Sequence, residues 1–195
     1  METVKQNRVS MNQEEIIINE AIRQFADKGL RFTVQDVAEN LHMAKKTIYH
    51  SFSTKEDLLI AMLRKGFSNI QENKRQILSS DEELPVKLRK AMIAIPDEYA
   101  FLDFRQLNGL EQKYPNAAAE LHRQLEANWE PIYQVIEEGK NNRQIREDVE
   151  LTVLRLIVTS TIENFISSED LKNNNIQYQE ALDSLMDIIM EGICL

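Results

Sequence analysis

Residues 32–52 read FTVQDVAENLHMAKKTIYHSF, and this stretch decides the fold. Thr33 is followed three residues later by Asp36, which is a capping signature for the start of a helix. A tight break is predicted at residues 42–43, and a second short helix is predicted over about 44–51. Two short helices separated by such a break are typical of a helix-turn-helix unit.

A longer helix is predicted directly before this stretch, from about Met11 to Lys28. Its apolar residues recur at three- and four-residue intervals, which gives it one buried face. They are Ile17, Ile18, Ala21, Ile22, Phe25 and Ala26. Gly29 stands where a helix C-cap is expected. The long helix and the first short one would form an apolar platform that holds the third helix through Ile48 and Phe52.

The solvent side of the predicted third helix carries the candidate contacts to DNA. These are Lys45, Lys46, Thr47, Tyr49 and His50. A helix of this width enters the major groove, where lysine reaches guanine edges and hydroxyl groups reach bases or phosphates. Taken alone, two adjacent lysines usually mark a solvated face, and a lone tyrosine or histidine is usually a surface or packing residue. Their occurrence together on a helix-turn-helix unit favours a DNA-binding surface.

Two further residues flank this surface. The hydroxyl of Thr33 caps its own helix. Lys55 lies at the start of a fourth helix, where free backbone N–H groups favour phosphate. This helix is predicted to run to about residue 78. Two capping pairs remain open at its start: Ser53 with Glu56, and Thr54 with Asp57.

The charge distribution is compatible with binding to DNA despite a net charge of −9. Residues 1–60 carry eight basic and nine acidic side chains, so most of the excess negative charge lies in the remainder. No acidic residue occurs between Glu39 and Glu56, whereas Lys45, Lys46 and Lys55 all lie in this interval. A local basic patch, rather than the global sum, decides phosphate contact.

The stretch from about Glu14 to Leu63 resembles the N-terminal domain of the tetracycline-repressor (TetR) family. The matching residues are Phe25, Gly29, Thr33–Ala38, Thr47–Tyr49, Phe52 and Lys55–Leu58. The resemblance implies a homodimer that binds a near-palindromic operator in double-stranded DNA. It also implies a divergent C-terminal helical domain that binds a small-molecule effector. The implied phosphate contacts are Thr33, Tyr49, His50 and Lys55, and the implied base contacts are Lys45, Lys46, Thr47 and Tyr49.

The sequence departs from the family pattern at two positions. His42 stands in the turn where the family usually has glycine, and histidine tolerates a left-handed backbone better than most residues. Ala44 stands where the family often has a serine N-cap, and its loss should cost the third helix about 1 kcal/mol. An operator sequence therefore does not carry over from relatives.

The whole chain is predicted to be all-α, with about nine helices, because glycine (5) and proline (4) are both scarce. Residues 1–53 would form the DNA-binding domain, joined by the long fourth helix to a ligand-sensing and dimerisation domain over 54–195. Further helices are predicted at about 84–95, 97–113, 116–139, 149–168 and 176–193. Pro131 lies inside the predicted stretch 116–139 and should either kink that helix or restart it.

The last two predicted helices are apolar around more than half of their circumference and must be buried on more than one side. They could form the core of a single subunit. The family resemblance instead places the four-helix bundle of a dimer here. The residues assigned to that interface are Leu154, Val158, Ile162, Leu182, Leu185 and Ile189.

Aromatic and amide residues of the central segments are candidates for an effector pocket. They are Phe101, Phe104, Asn108, Glu111, Trp129, Tyr133, Asn164 and Phe165. A pocket is mostly apolar with a few polar groups, and this composition suits one. It suits an ordinary core equally well. Glu111 in a pocket would indicate a cationic or amine-bearing ligand.

Other classes of protein are disfavoured. The single cysteine, Cys194, excludes an internal disulfide and a cysteine-type metal site. The three histidines lack partners at ligand spacing, and no nucleophile signature or glycine-rich phosphate loop occurs. The sequence therefore predicts no enzyme, no metal and no cofactor. Without a signal peptide or a membrane span, we expect a cytoplasmic protein with no membrane partner. A protein-interaction module that kept this fold is the alternative function.

Overall fold

The computed structural model describes residues 2–95, 99, 102–127 and 129–195, with side chains described from residue 13 onward. Eleven α-helices and two 3-10 turns, Gly29–Arg31 and Phe104–Leu107, form most of this part of the chain. The only β pairing among these residues is an isolated bridge between Ile145 and Cys194. The predicted all-α fold with an N-terminal helix-turn-helix unit is confirmed.

The helices follow one another along the chain. They are α1 (Glu2–Lys28), α2 (Val34–Asn40), α3 (Lys45–Ser51), α4 (Lys55–Leu78), α5 (Leu84–Met92), α6 (Leu110–Lys113), α7 (Pro115–Glu126), α8 (Glu130–Asn141), α9 (Leu151–Ser167), α10 (Glu169–Asn173) and α11 (Tyr178–Ile193). No helix in the described ranges combines the length and apolar character needed to cross a bilayer.

Two of the predicted helical stretches differ from the structure. A continuous helix over 97–113 is wrong, because the described residues there form a 3-10 turn and the four-residue helix α6. Gly109 separates the two with a φ of +83°, a left-handed backbone that interrupts a right-handed helix. The stretch 116–139 is two helices. Pro131 lies in the first turn of α8, so it restarts the helix rather than kinking it.

The chain packs into two compact units. The N-terminal unit comprises the residues up to Lys65 together with Gly109–Leu121, and the C-terminal unit comprises Gly66–Asn108 and His122–Leu195. The chain passes from one unit to the other within α4, before Gly109 and within α7. The functional boundary predicted between residues 53 and 54 stays a prediction, since these units describe packing.

Each unit has its own apolar core. In the N-terminal unit, α1, α2, α3 and the first half of α4 bury one apolar face each. The most enclosed side chains there are Ile17, Ala21, Phe32, Val37, Ile48 and Leu58. In the C-terminal unit, α5, α8, α9 and α11 contribute the main cluster. Its most enclosed members are Leu88, Ile132, Ile136, Ile145, Val158 and Met186.

Candidate functional site

The turn between α2 and α3 has the geometry that the sequence predicts. His42 adopts a φ of +52°, and the backbone N–H of Met43 donates to the carbonyl of Ala38 at 2.9 Å. The left-handed residue reverses the chain within four residues, so α3 can begin at Lys45. The break predicted at residues 42–43 is therefore confirmed, with histidine in the position that glycine usually fills.

Packing, rather than capping, holds α3 in place. Ile48 is fully buried and Phe52 is 8% exposed, so both predicted anchors face the core. The N-cap residue, Ala44, makes no side-chain hydrogen bond, and only its carbonyl accepts from the N–H of Thr47, at 2.8 Å. Helix α3 thus depends on two apolar anchors and lacks the side-chain cap that serine would supply.

The other side of α3 is open to solvent. Lys45, Lys46, Tyr49 and His50 are exposed, and Thr47 is half-buried. The Lys45 ammonium lies 5.7 Å from the centroid of the Tyr49 ring, one helical turn away. Among the described residues, neither Lys45 nor Lys46 has an acidic partner. This face offers two uncompensated cations, an aromatic ring and a hydroxyl to a partner, which is the chemistry that a major groove requires.

Thr33 begins α2 through a complete capping box. Its Oγ1 accepts from the N–H of Asp36 at 3.1 Å, and its own N–H donates to Asp36 Oδ2 at 2.6 Å. The Lys28 ammonium donates to Asp36 Oδ1 at 2.7 Å. This contact and the bonds from Thr33 lower the pKa of Asp36 to about 2. Thr33 remains exposed, so its hydroxyl caps the helix from the surface.

Lys55 makes contacts within the protein that its predicted role as a phosphate contact does not require. Its ammonium donates to the carbonyl of Leu30 at 2.7 Å. It also lies 4.4 Å from the centroid of the Phe32 ring and 5.1 Å from that of Tyr114. Lys55 therefore fastens the segment after α1 to the start of α4. Its phosphate contact stays a prediction, and sequence periodicity gave no signal for these internal partners.

The start of α4 resolves the choice between two capping pairs. Thr54 Oγ1 accepts from the N–H of Asp57 at 3.0 Å, and the N–H of Thr54 donates to Asp57 Oδ2 at 2.9 Å. This leaves Glu56 free for a different role, which the sequence did not indicate. Glu56 Oε1 accepts from the N–H groups of Asn116, at 2.7 Å, and Ala117, at 3.2 Å.

A second contact, about two turns further along α4, joins the same two helices. Arg64 Nε donates to Glu120 Oε1 at 3.1 Å, and Glu120 is only 7% exposed. Within the N-terminal unit, α4 is therefore bound to α7 by two polar contacts. A Pro115 start for α7 can be anticipated from sequence, but the partners of its free N–H groups cannot.

The C-terminal unit contains a pocket of about 440 Å³ between the segment after α5 and the start of α11. Its lining includes Tyr99, Phe104 and Tyr178, and the rings of the last two are 5.8 Å apart. Arg105 Nη2 pairs with Asp103 Oδ2 at 2.8 Å on the wall, which lowers the pKa of Asp103. Burial raises the pKa of the Tyr178 hydroxyl, so the phenol stays neutral.

The predicted pocket residues do not gather around this one cavity. Phe104 lines it, whereas Trp129 and Tyr133 form a separate aromatic pair with centroids 6.2 Å apart. Asn108 and Asn164 are exposed, and Phe165 is half-buried. Glu111 is exposed and belongs to the N-terminal unit. Phe101 lies outside the described residues.

The residues predicted for a dimer interface are largely interior in a single chain. Leu154, Val158, Leu182 and Ile189 are at most 8% exposed, and Ile162 and Leu185 are half-buried. A side chain already enclosed by its own subunit has little surface left for a partner. The apolar surface that α9 and α11 leave open is instead formed by Val153, Leu156, Ile157 and Ile188, which are 44–70% exposed.

Comparisons with known proteins agree with this architecture. Residues 17–62 match the family described as bacterial regulatory proteins, tetR family. The uncharacterized HTH-type transcriptional regulator YvaF of Bacillus subtilis (strain 168) is 25% identical, with 91% of this chain and 93% of that protein covered. The HTH-type transcriptional repressor AcnR of Corynebacterium diphtheriae is 23% identical, with 99% and 97% covered.

A solved structure extends the likeness to the C-terminal unit. The transcriptional regulator FadR from Bacillus subtilis, in complex with stearoyl-CoA, superposes with a TM-score of 0.66 at 18% identity. The alignment covers 92% of this chain and 98% of that one. At this identity the likeness establishes the fold. The helix-turn-helix unit therefore matches the tetR family over residues 17–62, and the fold of the chain is like that of a solved transcriptional regulator.

Proposed function

We propose that the protein is a ligand-responsive repressor that binds a near-palindromic operator as a cytoplasmic homodimer. The observation that carries the DNA-binding part is the exposed face of α3, with Lys45, Lys46 and Tyr49 free of acidic partners among the described residues. In a dimer, two such faces would enter successive major grooves, with their centres about 34 Å apart. Thr33, Thr47, His50 and Lys55 would add contacts to bases and phosphates around them.

A second copy of this chain is the proposed occupant of the apolar surface on α9 and α11. Val153, Leu156 and Ile157 follow one face of α9 at three- and four-residue spacing, and Ile188 is the most exposed of the four. A contiguous apolar surface in water marks an interaction site. A two-fold operator requires two identical readers, so this surface supplies the pairing that the DNA contact needs.

The repressor assignment and the ligand response have a different basis. AcnR, a relative over nearly the whole chain, is named as a repressor, and the FadR structure of similar fold holds stearoyl-CoA. The C-terminal unit of this chain offers the pocket near Phe104 and the aromatic pair of Trp129 and Tyr133. The dimer would have two conformations that differ in the spacing of their recognition helices. A ligand would release DNA only if it binds more tightly to the conformation whose spacing does not fit the operator.

The DNA-binding proposal is tested by selecting duplexes from a random-sequence library and sequencing the enriched pool. We expect a near-palindrome whose half-sites are about one helical turn apart. Specific binding should exceed binding to unrelated duplex by at least about a thousandfold. Binding all sequences alike, or binding none, would favour the protein-interaction module over the regulator.

Variants of the protein, measured against the selected duplex, test the DNA contacts assigned to α3. Lys46→Ala and Tyr49→Ala should each weaken operator binding by at least about tenfold. Lys172→Ala, which removes an exposed lysine from α10, is the matched control and should leave affinity unchanged. Unchanged affinity in both α3 variants would defeat the contact assignment. Lys55 is unsuited to this test, because its ammonium also bonds to the protein.

A further inference from the structure

The second half of α4 presents an unusual apolar stripe in the C-terminal unit. Phe67, Ile70, Lys74 and Ile77 share one face of the helix, since they recur at three- and four-residue intervals. All four are half-buried. The three fully buried residues of α4 are Leu58, Leu59 and Met62, which all precede this segment. The stripe is therefore shielded from water without being packed to the density of a core, and a lysine lies within it.

Lys74 lies over an aromatic surface. Its ammonium is 5.8 Å from the centroid of the Trp129 ring, which is 6% exposed. Trp129 is fixed in place, because its indole N–H donates to the carbonyl of Leu125 at 3.0 Å. Tyr133, one turn further along α8, pairs with the indole at 6.2 Å. The described contact of the ammonium is thus with one buried indole, whose aromatic neighbour is Tyr133.

This ammonium lacks a counter-charge within the described ranges of the chain. Its only described contact is with the indole face, and burial alone lowers its pKa to about 8. Burying a cation without an anion or hydrogen-bond acceptor is costly, and an aromatic face offsets only part of that cost. An anion bound beside this ammonium would offset that cost through a charge-assisted hydrogen bond.

A second cation of the C-terminal unit, Arg155, has an acidic partner. Arg155 Nη1 pairs with Glu126 Oε1 at 2.6 Å, and the guanidinium also interacts with the hydroxyl of Tyr133. Its charge is therefore matched locally. Among the described residues, Lys74 is the cation beside Trp129 that no acid pairs, so the position suits a single negative charge rather than a polyphosphate.

We propose that Lys74 binds the carboxylate of an amphipathic monoanion whose apolar chain lies along the α4 stripe and against Trp129. The apolar part would replace water over Phe67 and Ile70, and the carboxylate would accept charge-assisted hydrogen bonds from the ammonium. Phe67 lies about 10 Å along the helix from Lys74. A saturated chain of about twelve carbons is long enough to cover that distance. This assignment rests on the proposed ligand response and names the class of its ligand.

The protein carries its own reporter for this site, since Trp129 is its single tryptophan. Emission of the full-length protein would be followed during titration with dodecanoate and with 1-dodecanol, which has the same chain without the charge. We expect dodecanoate to bind at least about ten times more tightly. In Lys74→Met the two should bind alike, since the thioether keeps the apolar contacts and removes the cation.

Lys140→Met is the matched control. Lys140 is also a shielded lysine of the C-terminal unit, with its side chain 15% exposed, but it pairs with Glu137 at 2.8 Å. This variant should keep the tenfold preference for the carboxylate. Without ligand, the emission of wild-type protein should also change around pH 8, and Lys74→Met should lose that change. A circular dichroism spectrum and a melting temperature like those of wild type would show that the variant is folded and lacks only the titrating group.

The outcomes are distinct. Equal affinity for the two probes in wild type, no response to dodecanoate, or a preference that survives in Lys74→Met would each overturn the anion site. A tenfold preference that depends on Lys74 supports it. If dodecanoate then leaves operator affinity unchanged in a gel shift, the site stands and the proposed ligand-controlled release of DNA fails.

Discussion

Glu56 Oε1 lies 2.7 Å from the backbone nitrogen of Asn116, so the first turn of α4 caps the first turn of α7. The carboxylate accepts from N–H groups that a helix N-terminus leaves without internal partners. Its negative charge also interacts favourably with the positive end of the helix dipole. Glu56 thus joins two parts of the N-terminal unit that lie sixty residues apart in the sequence.

Replacing Glu56 by alanine should destabilise the protein by about 1 kcal/mol, because a helix cap and two charge-assisted hydrogen bonds are lost. The free energy of unfolding would be measured by urea denaturation. Glu147→Ala, which removes an exposed acid from a loop, is the control and should change the free energy by less than about 0.5 kcal/mol. Equal stability of the two variants would remove the capping role.

Ala44→Ser should stabilise the protein by about 0.5–1 kcal/mol. Ala44 has the extended backbone of an N-cap but no side chain that can accept from the free N–H groups of α3. Ala44→Gly is the comparison, since glycine supplies no acceptor. If serine gave no more stability than glycine in thermal unfolding, the N-cap of α3 would already be satisfied in some other way.

Asp36 gives the N-terminal unit a defined sensitivity to acid. Its pKa is lowered from 3.8 to about 2, so its contribution to stability is present above pH 4 and is lost as the pH falls towards 2. After allowance for solvent screening, the contribution is roughly 1 kcal/mol. The difference in unfolding free energy between wild type and Asp36→Asn should therefore shrink between pH 4 and pH 2. A constant difference over that range would contradict the lowered pKa.

His122 should show the opposite dependence. Its Nδ1 lies 2.7 Å from Glu163 Oε1, and this contact raises the pKa of the imidazole. Glu126 also raises the pKa and Arg155 lowers it, both more weakly. The stabilisation is present below the ordinary histidine pKa and is lost as the pH rises through the raised value. NMR titration of the ring should give a lower pKa in Glu163→Gln than in wild type, whereas Glu169→Gln should leave it unchanged.

The proposed dimer surface is tested by a charge. Ile188→Glu should convert the dimer to monomer in sedimentation velocity, because a carboxylate would be desolvated at the centre of an apolar contact. Val86→Glu places the same charge on an exposed apolar residue of α5 and should leave the dimer intact. A dimer that survives Ile188→Glu and Ile157→Glu alike would exclude this surface.

Local signals made the helix-turn-helix unit predictable. The Thr33 capping box, the left-handed His42 and the anchors Ile48 and Phe52 depend on residues only a few positions apart, and all appear in the structure. The all-α fold followed from composition in the same way. What the structure adds here is mostly the identity of distant partners, such as Leu30 and Tyr114 for Lys55.

The C-terminal unit was less predictable for a physical reason. Helices α9 and α11 are apolar on more than one side, so periodicity could not tell which side faces the subunit's own core. Val158 and Leu182 proved to be interior, and Ile157 and Ile188 exposed. Lys74 was not singled out at all, since one lysine in a long helix carries no signal until its aromatic neighbour, 55 residues away, is placed beside it.

The division of the chain into two units has a consequence for transplantation of the N-terminal unit. Each unit is assembled from separate pieces of sequence, and Lys55, Glu56 and Arg64 find partners in Gly109–Leu121. A graft of residues 1–65 alone would leave Glu56 and Arg64 without these partners, and Lys55 would keep Leu30 and Phe32 but lose Tyr114. A chimera that also imports residues 109–121 would keep all of these contacts, so the N-terminal unit should be transferred as two segments together.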